Sequence, residues 1–243
     1  MTETVSWKKG VAEFVGTLAL IYIGVLVLVV GAPELFENGI KNLVAVALAH
    51  GLTIAVMVSA TMSISGGQLN PSVTLGLLLA NKITPAQAGV NVVAQILGGV
   101  VGAVLALASV AGASIEGGVP AAAANVGIGQ GILVEAMATF FLVFVVFGTG
   151  VDPRFGARIG GLAIGFTVAL DILAVGPLTG ASMNLARWLG PAIVAGKFPS
   201  AAIHIIGPLV GGAVAGLLWQ YVLLDEPRPH PEPAAKLKAE DNL

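Results

Sequence analysis

The stretches "SGGQLNPSVTLG" at 65–76 and "TGASMNLARWLG" at 179–190 decide how this chain folds. They stand 114 positions apart (184 − 70), and each opens on Ser or Thr followed by Gly. Each carries Asn at its sixth place, Asn70 and Asn184, and closes on Gly76 or Gly190. The early glycines allow a tight turn without a Cβ penalty. Asn is among the best helix N-caps, and Pro71 suits the first helical position, where its missing N–H costs nothing. Short apolar pieces follow, at roughly 71–80 and 185–195. A bilayer takes about 20 apolar residues to cross, so these pieces are expected to be re-entrant half-helices. Irregular backbone at membrane depth is tolerated only where protein buries it or where it lines a wet cavity.

Outward from the two motifs the chain is apolar. Of its 243 residues 56% are hydrophobic and 10% charged, against about 25% charged in an ordinary soluble domain. Apolar runs long enough to span lie at about 11–31, 40–63, 86–109, 129–150, 158–177 and 200–224. The expected fold is therefore an all-α membrane protein with six transmembrane helices and two re-entrant half-helices. The 33 glycines suit close helix packing in lipid. The absence of cysteine removes thiol chemistry and Cys-ligated metals, and three scattered histidines argue against a metal site. No nucleophile–base pair stands out, so an enzyme is not expected, nor is any cofactor. No basic patch points to nucleic acid. The N-terminal "MTETVSWKKG" precedes a run long enough to span and is not followed by a cleavage pattern, so that run reads as the first span.

Lys and Arg near short loops set the orientation. One side collects Lys8, Lys9, Lys82, Arg154, Arg158, Arg228, Lys236 and Lys238; the other has Lys41 and Lys197, with Arg187 inside the second motif. Both termini are thus expected on the cytoplasmic side of the cell membrane. The halves align: "AEFVGTLALIYIG" with "VEAMATFFLVFVVFG" brings Glu13 and Thr17 over Glu135 and Thr139, and "QILGGVVGA" with "HIIGPLVGG" pairs Gln95 with His204. Three spans per repeat is an odd number, so the second repeat is inverted relative to the first, a plan shared with permeation proteins. The expected organisation is a cytoplasmic N-terminus at 1–10, a channel domain at 11–225 and a disordered cytoplasmic tail at 226–243. Within the channel domain, repeat one covers 11–109 and repeat two 129–225.

Together the Glu-x-x-x-Thr span starts, "SGGQLNPSVTLG" and the block "NLARWLGPA" at 184–192 resemble the aquaporin (major intrinsic protein) family. The likeness covers about 8 to 225. That family's signature is two Asn-Pro-Ala loops in inverted repeats; here they read Asn-Pro-Ser and Asn-Leu-Ala, with Ser72 and Leu185 as departures. The resemblance implies a passive water channel in which Asn70 and Asn184 mark the pore midpoint. Its outer selectivity filter maps to His50, Ile172, Ala181 and Arg187, with Val73 at the inner place matching Arg187. Such pores select by width, lining donors, an Arg and half-helix dipoles. Glu13 and Glu135, with Gln95 and His204 beside them, are expected to support the loops by accepting hydrogen bonds from loop backbone. Asp171 is expected to pair with a neighbouring helix rather than line the pore.

A His/Ile/Ala/Arg set resembles that of plant vacuolar members, which pass water and often ammonia. Trp188 and Ala192 depart from the pattern of glycerol-conducting members. The resemblance further implies a homotetramer in lipid, passing water and small neutral solutes such as ammonia. The absence of cysteine and the short connections suggest a prokaryotic source. Two alternatives stand beside the water channel. One is a facilitator of glycerol or other small solutes; the other, of a different class, is an ion-coupled secondary transporter.

Overall fold

The computed structural model describes residues 5–30, 39–112, 114–154 and 159–224. The tail at 226–243 lies outside them, as do Arg158 and the tail cations of the charge count. All regular structure among the described residues is helical: α1 (Trp7–Val30), α2 (Gly39–Ser65), α3 (Pro71–Leu79), α4 (Pro85–Ser109), α5 (Ile128–Val146), α6 (Gly160–Thr179), α7 (Leu185–Ala195) and α8 (Ala201–Leu218). A 3₁₀ turn, Ile115–Gly118, interrupts the connection from α4 to α5. Wider π turns extend α5 over Phe147–Val151 and α8 over Trp219–Leu223. Six of these helices are long and apolar enough to cross a membrane. With 9 and 11 residues, α3 and α7 are not.

Side chains written in the sequence set the helix starts. The side chain of Asn70 accepts from Ser72 N at the start of α3, with Pro71 first in the helix. Asn184 accepts from the N–H groups of both Ala186 and Arg187 at the start of α7. Thr84 caps α4 through Gln87 N, and Pro85 follows it. The half-helices end cleanly too: Gly196 closes α7 in a left-handed conformation that glycine adopts without strain.

Each repeat packs its first span against its third, α1 on α4 and α5 on α8, and the two repeats join through α2 and α6. The half-helices cross over, with α3 lying on α8 and α7 on α4. That exchange depends on glycine. A Cβ at Gly76 would stand 2.9 Å from Gly212 O, and one at Gly190 would stand 2.6 Å from Gly99 O, both below real contact distances. The apolar core runs between the repeats, through Ile21 and Leu69 to Val143 and Phe147. Large apolar side chains such as Val56, Phe166 and Leu170 cover the outside, as a lipid-facing surface requires.

Candidate functional site

The two motif loops follow the same backbone course. Gly66 and Gly180, Gly67 and Ala181, and Leu69 and Met183 all have positive φ. Three of the six are not glycine, and each such residue is strained by about 1–2 kcal/mol. Buried carboxylates hold the loops in this shape. Glu13, on α1, accepts from Gln68 N at 2.9 Å and Leu69 N at 2.6 Å, and also from Ser65 Oγ at 2.5 Å. Glu135, on α5, accepts from Ser182 N at 2.9 Å, Met183 N at 2.7 Å and Thr179 Oγ1 at 2.6 Å. Both glutamates are completely buried. Backbone N–H groups with no helical partner therefore end on oxygen rather than in hydrocarbon.

The third-span partners differ. Gln95 donates to Glu13 Oε2 at 2.7 Å. His204, expected to do the same for Glu135, makes no such bond: its Nδ1 lies 3.6 Å from Glu135 Oε1, and neither ring nitrogen has a partner among the described residues. The ring instead stacks on Trp188, with centroids 6.0 Å apart. Asp171 also departs from expectation. It is buried and off the lumen, yet its Oδ2 has no hydrogen-bond partner among the described residues.

At the centre the loops bind each other. Asn70 Nδ2 donates to Met183 O and Asn184 Nδ2 to Leu69 O, both at 2.9 Å. Each Asn Oδ1 is occupied by its own helix start. Each side-chain NH₂ carries two hydrogens, so one N–H of each remains without a partner among the described residues, and both residues line a narrow lumen. The N-termini of α3 and α7 meet here, each worth about half a positive charge. The rest of the lumen wall is mostly aliphatic, including Leu20, Ile54, Val73, Val146 and Val168.

Wider cavities open at both ends of the lumen. Ile172 and Arg187 line both the lumen and an outer vestibule. Gln68, Val146 and Ile164 line both the lumen and an inner vestibule. Lys9 and Lys82, counted together on one side in the sequence, border that inner cavity. Lys197, counted on the other side, pairs with Glu116 beside the 3₁₀ turn.

The outer end of the lumen brings together His50 from α2, Ile172 from α6, and Ala181 and Arg187 from the second loop and its half-helix. His50 Nδ1 lies 2.8 Å from Val46 O. A carbonyl only accepts, so Nδ1 carries the proton and Nε2 is left as an acceptor. Arg187 donates from Nη1 to Gly118 O at 3.0 Å, which leaves other guanidinium N–H groups for the lumen. It is the one charged side chain among those lining the lumen. Gly118 and Gln68 are the site residues that reading the sequence misses. Gly118 acts through a carbonyl on a connection 69 positions from Arg187, where no sequence signal exists. Gln68 could have been noticed as the long polar side chain inside the first motif.

The profile of the major intrinsic protein family matches residues 1–219. "Probable aquaporin TIP2-2" of Arabidopsis thaliana is 40% identical over 230 residues, covering 93% of this chain and 91% of that protein. "Aquaporin TIP4-4" of Zea mays is 45% identical over 197 residues, covering 80% and 77%. Among solved structures, the X-ray structure of the aquaglyceroporin from Plasmodium falciparum superposes with a TM-score of 0.74 at 23% identity, covering 89% of this chain and 96% of that one. With loops, half-helices and lumen arranged as above, the chain is a member of the major intrinsic protein family.

Proposed function

We propose that this chain is a passive water channel. The observation that carries the reading is the row of three cavities sharing lining residues, the central one a lumen that offers two fixed amide N–H donors. Water enters the aliphatic lumen in single file. At Asn70 and Asn184 its oxygen accepts from the free Nδ2 hydrogens, which turns the molecule and interrupts the donor–acceptor order of the file. A proton or cation meets the paired positive ends of α3 and α7 and then Arg187, in a wall too apolar to replace its hydration shell. Names of relatives that include the word aquaporin support the same activity.

In this reading His50, Ile172, Ala181 and Arg187 form the outer filter, and Asn70 and Asn184 the midpoint. Glu13, Glu135 and Gln95 support the loops, while His204 supports the second loop through packing. No Phe or Trp lines the lumen, and this favours passage of a small neutral solute such as ammonia beside water. Coupled transport finds no support, because Glu13 and Glu135 are absent from the lumen wall and each binds loop donors. The cell membrane is the proposed location, with both termini cytoplasmic, and a homotetramer the proposed assembly. A prokaryotic source gains nothing from the relatives above, which are plant proteins.

Stopped-flow shrinkage of proteoliposomes against an impermeant sugar tests the proposal. Water efflux well above that of empty liposomes, unaffected by any pH or ion gradient, is expected. Efflux equal to that of empty liposomes would overturn it.

A further inference from the structure

At the inner end of the lumen the structure holds a chain of amides with one direction. The backbone N–H of Ser6 donates to Gln87 Oε1 at 2.8 Å. A backbone N–H can only donate, so the amide orientation of Gln87 is fixed, and Gln87 Nε2 also reaches Ser6 O at 3.4 Å. Gln87 Nε2 then donates to Asn91 Oδ1 at 2.8 Å, which leaves Asn91 Nδ2 to donate to Gln68 Oε1 at 3.2 Å. Thr74 Oγ1 occupies the same oxygen at 2.6 Å. Gln68 Nε2 must therefore be a donor. One of its hydrogens goes to Ser65 O at 3.3 Å. The other has no acceptor among the described residues, on a residue that lines both lumen and inner vestibule.

Gln87, Asn91 and Gln95 recur every fourth residue on α4 and are all buried. Aligned through Gln95 and His204, the second repeat has Gly196 and Ser200 in place of Gln87 and Asn91. Among the described residues the amide chain therefore stands only at the inner mouth, and the internal symmetry of the fold does not account for it.

We propose that Gln68 is a specificity-determining residue of the conduction path, a neutral donor-only station whose orientation is set by Ser6, Gln87 and Asn91 as positioning residues. The proposal rests on the water-channel reading. A permeant with a lone pair, such as water or ammonia, accepts from Gln68 Nε2 before it reaches Asn70. Ammonium has no lone pair and is refused at the same place. Asn70, Asn184 and Arg187 then continue the row of donors outward.

The test uses the full chain in proteoliposomes. Gln68→Met keeps the bulk and removes the donor, but it strands the Asn91 amide. The double variant Gln68→Met/Asn91→Leu removes both partners of that bond, while Gln87 Nε2 keeps Ser6 O and Thr74 Oγ1 keeps Asn70 O as acceptors. Losing one net hydrogen bond corresponds to about a fivefold change in an equilibrium or rate. Water flow per channel should fall about fivefold in the double variant, with a higher activation energy and an apparent melting temperature near wild type. Gln87→Glu, remote from the lumen, still accepts from Ser6 N but cannot donate to Asn91. It should reverse the amides in turn, break the Gln68 bond to Ser65 O, face Gln68 Oε1 to the lumen, and lower water flow relative to wild type. Wild-type water flow and activation energy in a folded double variant, or in Gln87→Glu, would overturn the proposal. Absence of water flow through the wild type itself would instead defeat the water-channel reading on which the proposal rests.

Discussion

Replacing each loop-holding glutamate by glutamine should destabilise the protein unequally. Glu135→Gln keeps one oxygen, enough for Thr179 Oγ1 and Ser182 N, and turns an NH₂ toward Met183 N–H. The reverse placement strands Ser182 N–H instead. Either way one buried backbone donor faces another donor, at about 1–3 kcal/mol. The bonds that remain lose their charge assistance, which roughly halves them. Glu13→Gln suffers the same loss at Leu69 N or Gln68 N, and removes charge assistance from one bond more, because Gln95 Nε2 also donates to Glu13 at 2.7 Å. Glu135 has no fourth donor, since His204 stops at 3.6 Å. The excess for Glu13→Gln is the charge assistance of that fourth bond, about 1 kcal/mol. In a protein of this size that corresponds to about 2–4 °C in melting temperature. Thermal unfolding of detergent-solubilised protein, followed by tryptophan fluorescence, measures it. Both variants should melt below wild type, with Glu13→Gln the lower. If Glu135→Gln melts at or below Glu13→Gln, the geometric account of the third-span partners fails.

Three further outcomes follow from particular contacts. Leu185→Pro should leave water flow unchanged and cost no stability, because Asn184 caps through Ala186 N and Arg187 N and leaves the Leu185 N–H out of the cap; loss of flow in liposomes would contradict this. Gly24→Ala places a methyl group against the His50 ring, 2.9 Å from Cδ2 and Cε1. It should push the ring into the lumen and reduce ammonia flux more than water flux, and equal losses would count against His50 as part of the outer filter. Hydrogen bonds from the Arg154 side chain and then its backbone N–H hold the Asp152 carboxyl below its usual range. A depressed folded value means that this contribution is present at neutral pH and is lost as pH falls below about 4. Asp152→Asn should therefore flatten the acid limb of a melting-temperature profile, and an unchanged limb would show that the contact contributes nothing.

The elements that sequence reading places well are those whose signal is local. Asn70 and Asn184 mark the half-helix starts to the residue, because an N-cap acts on N–H groups two and three positions onward. The six spans are legible because a long apolar run has few other uses. Gly118 carries no local signal: it contributes a carbonyl that any residue would supply, and only the fold brings it to Arg187. Pairing Gln95 with His204 by position correctly finds equivalent places but wrongly implies equivalent contacts, because Trp188 gives His204 a stacking partner and holds the ring off the carboxylate.

Leu185 looks like damage to the second motif when judged against Pro71. The geometry changes that judgement. The first helical N–H of α7 lies outside the bonds that Asn184 makes, so proline's missing donor and leucine's idle one are equivalent there. Cohesion between the loops comes from the exchange of Asn70 Nδ2 to Met183 O and Asn184 Nδ2 to Leu69 O. Neither bond involves the residue after the Asn. The motif needs the asparagine, the left-handed residue before it, and a carboxylate behind the turn. Its second letter is free to vary wherever a helix can begin.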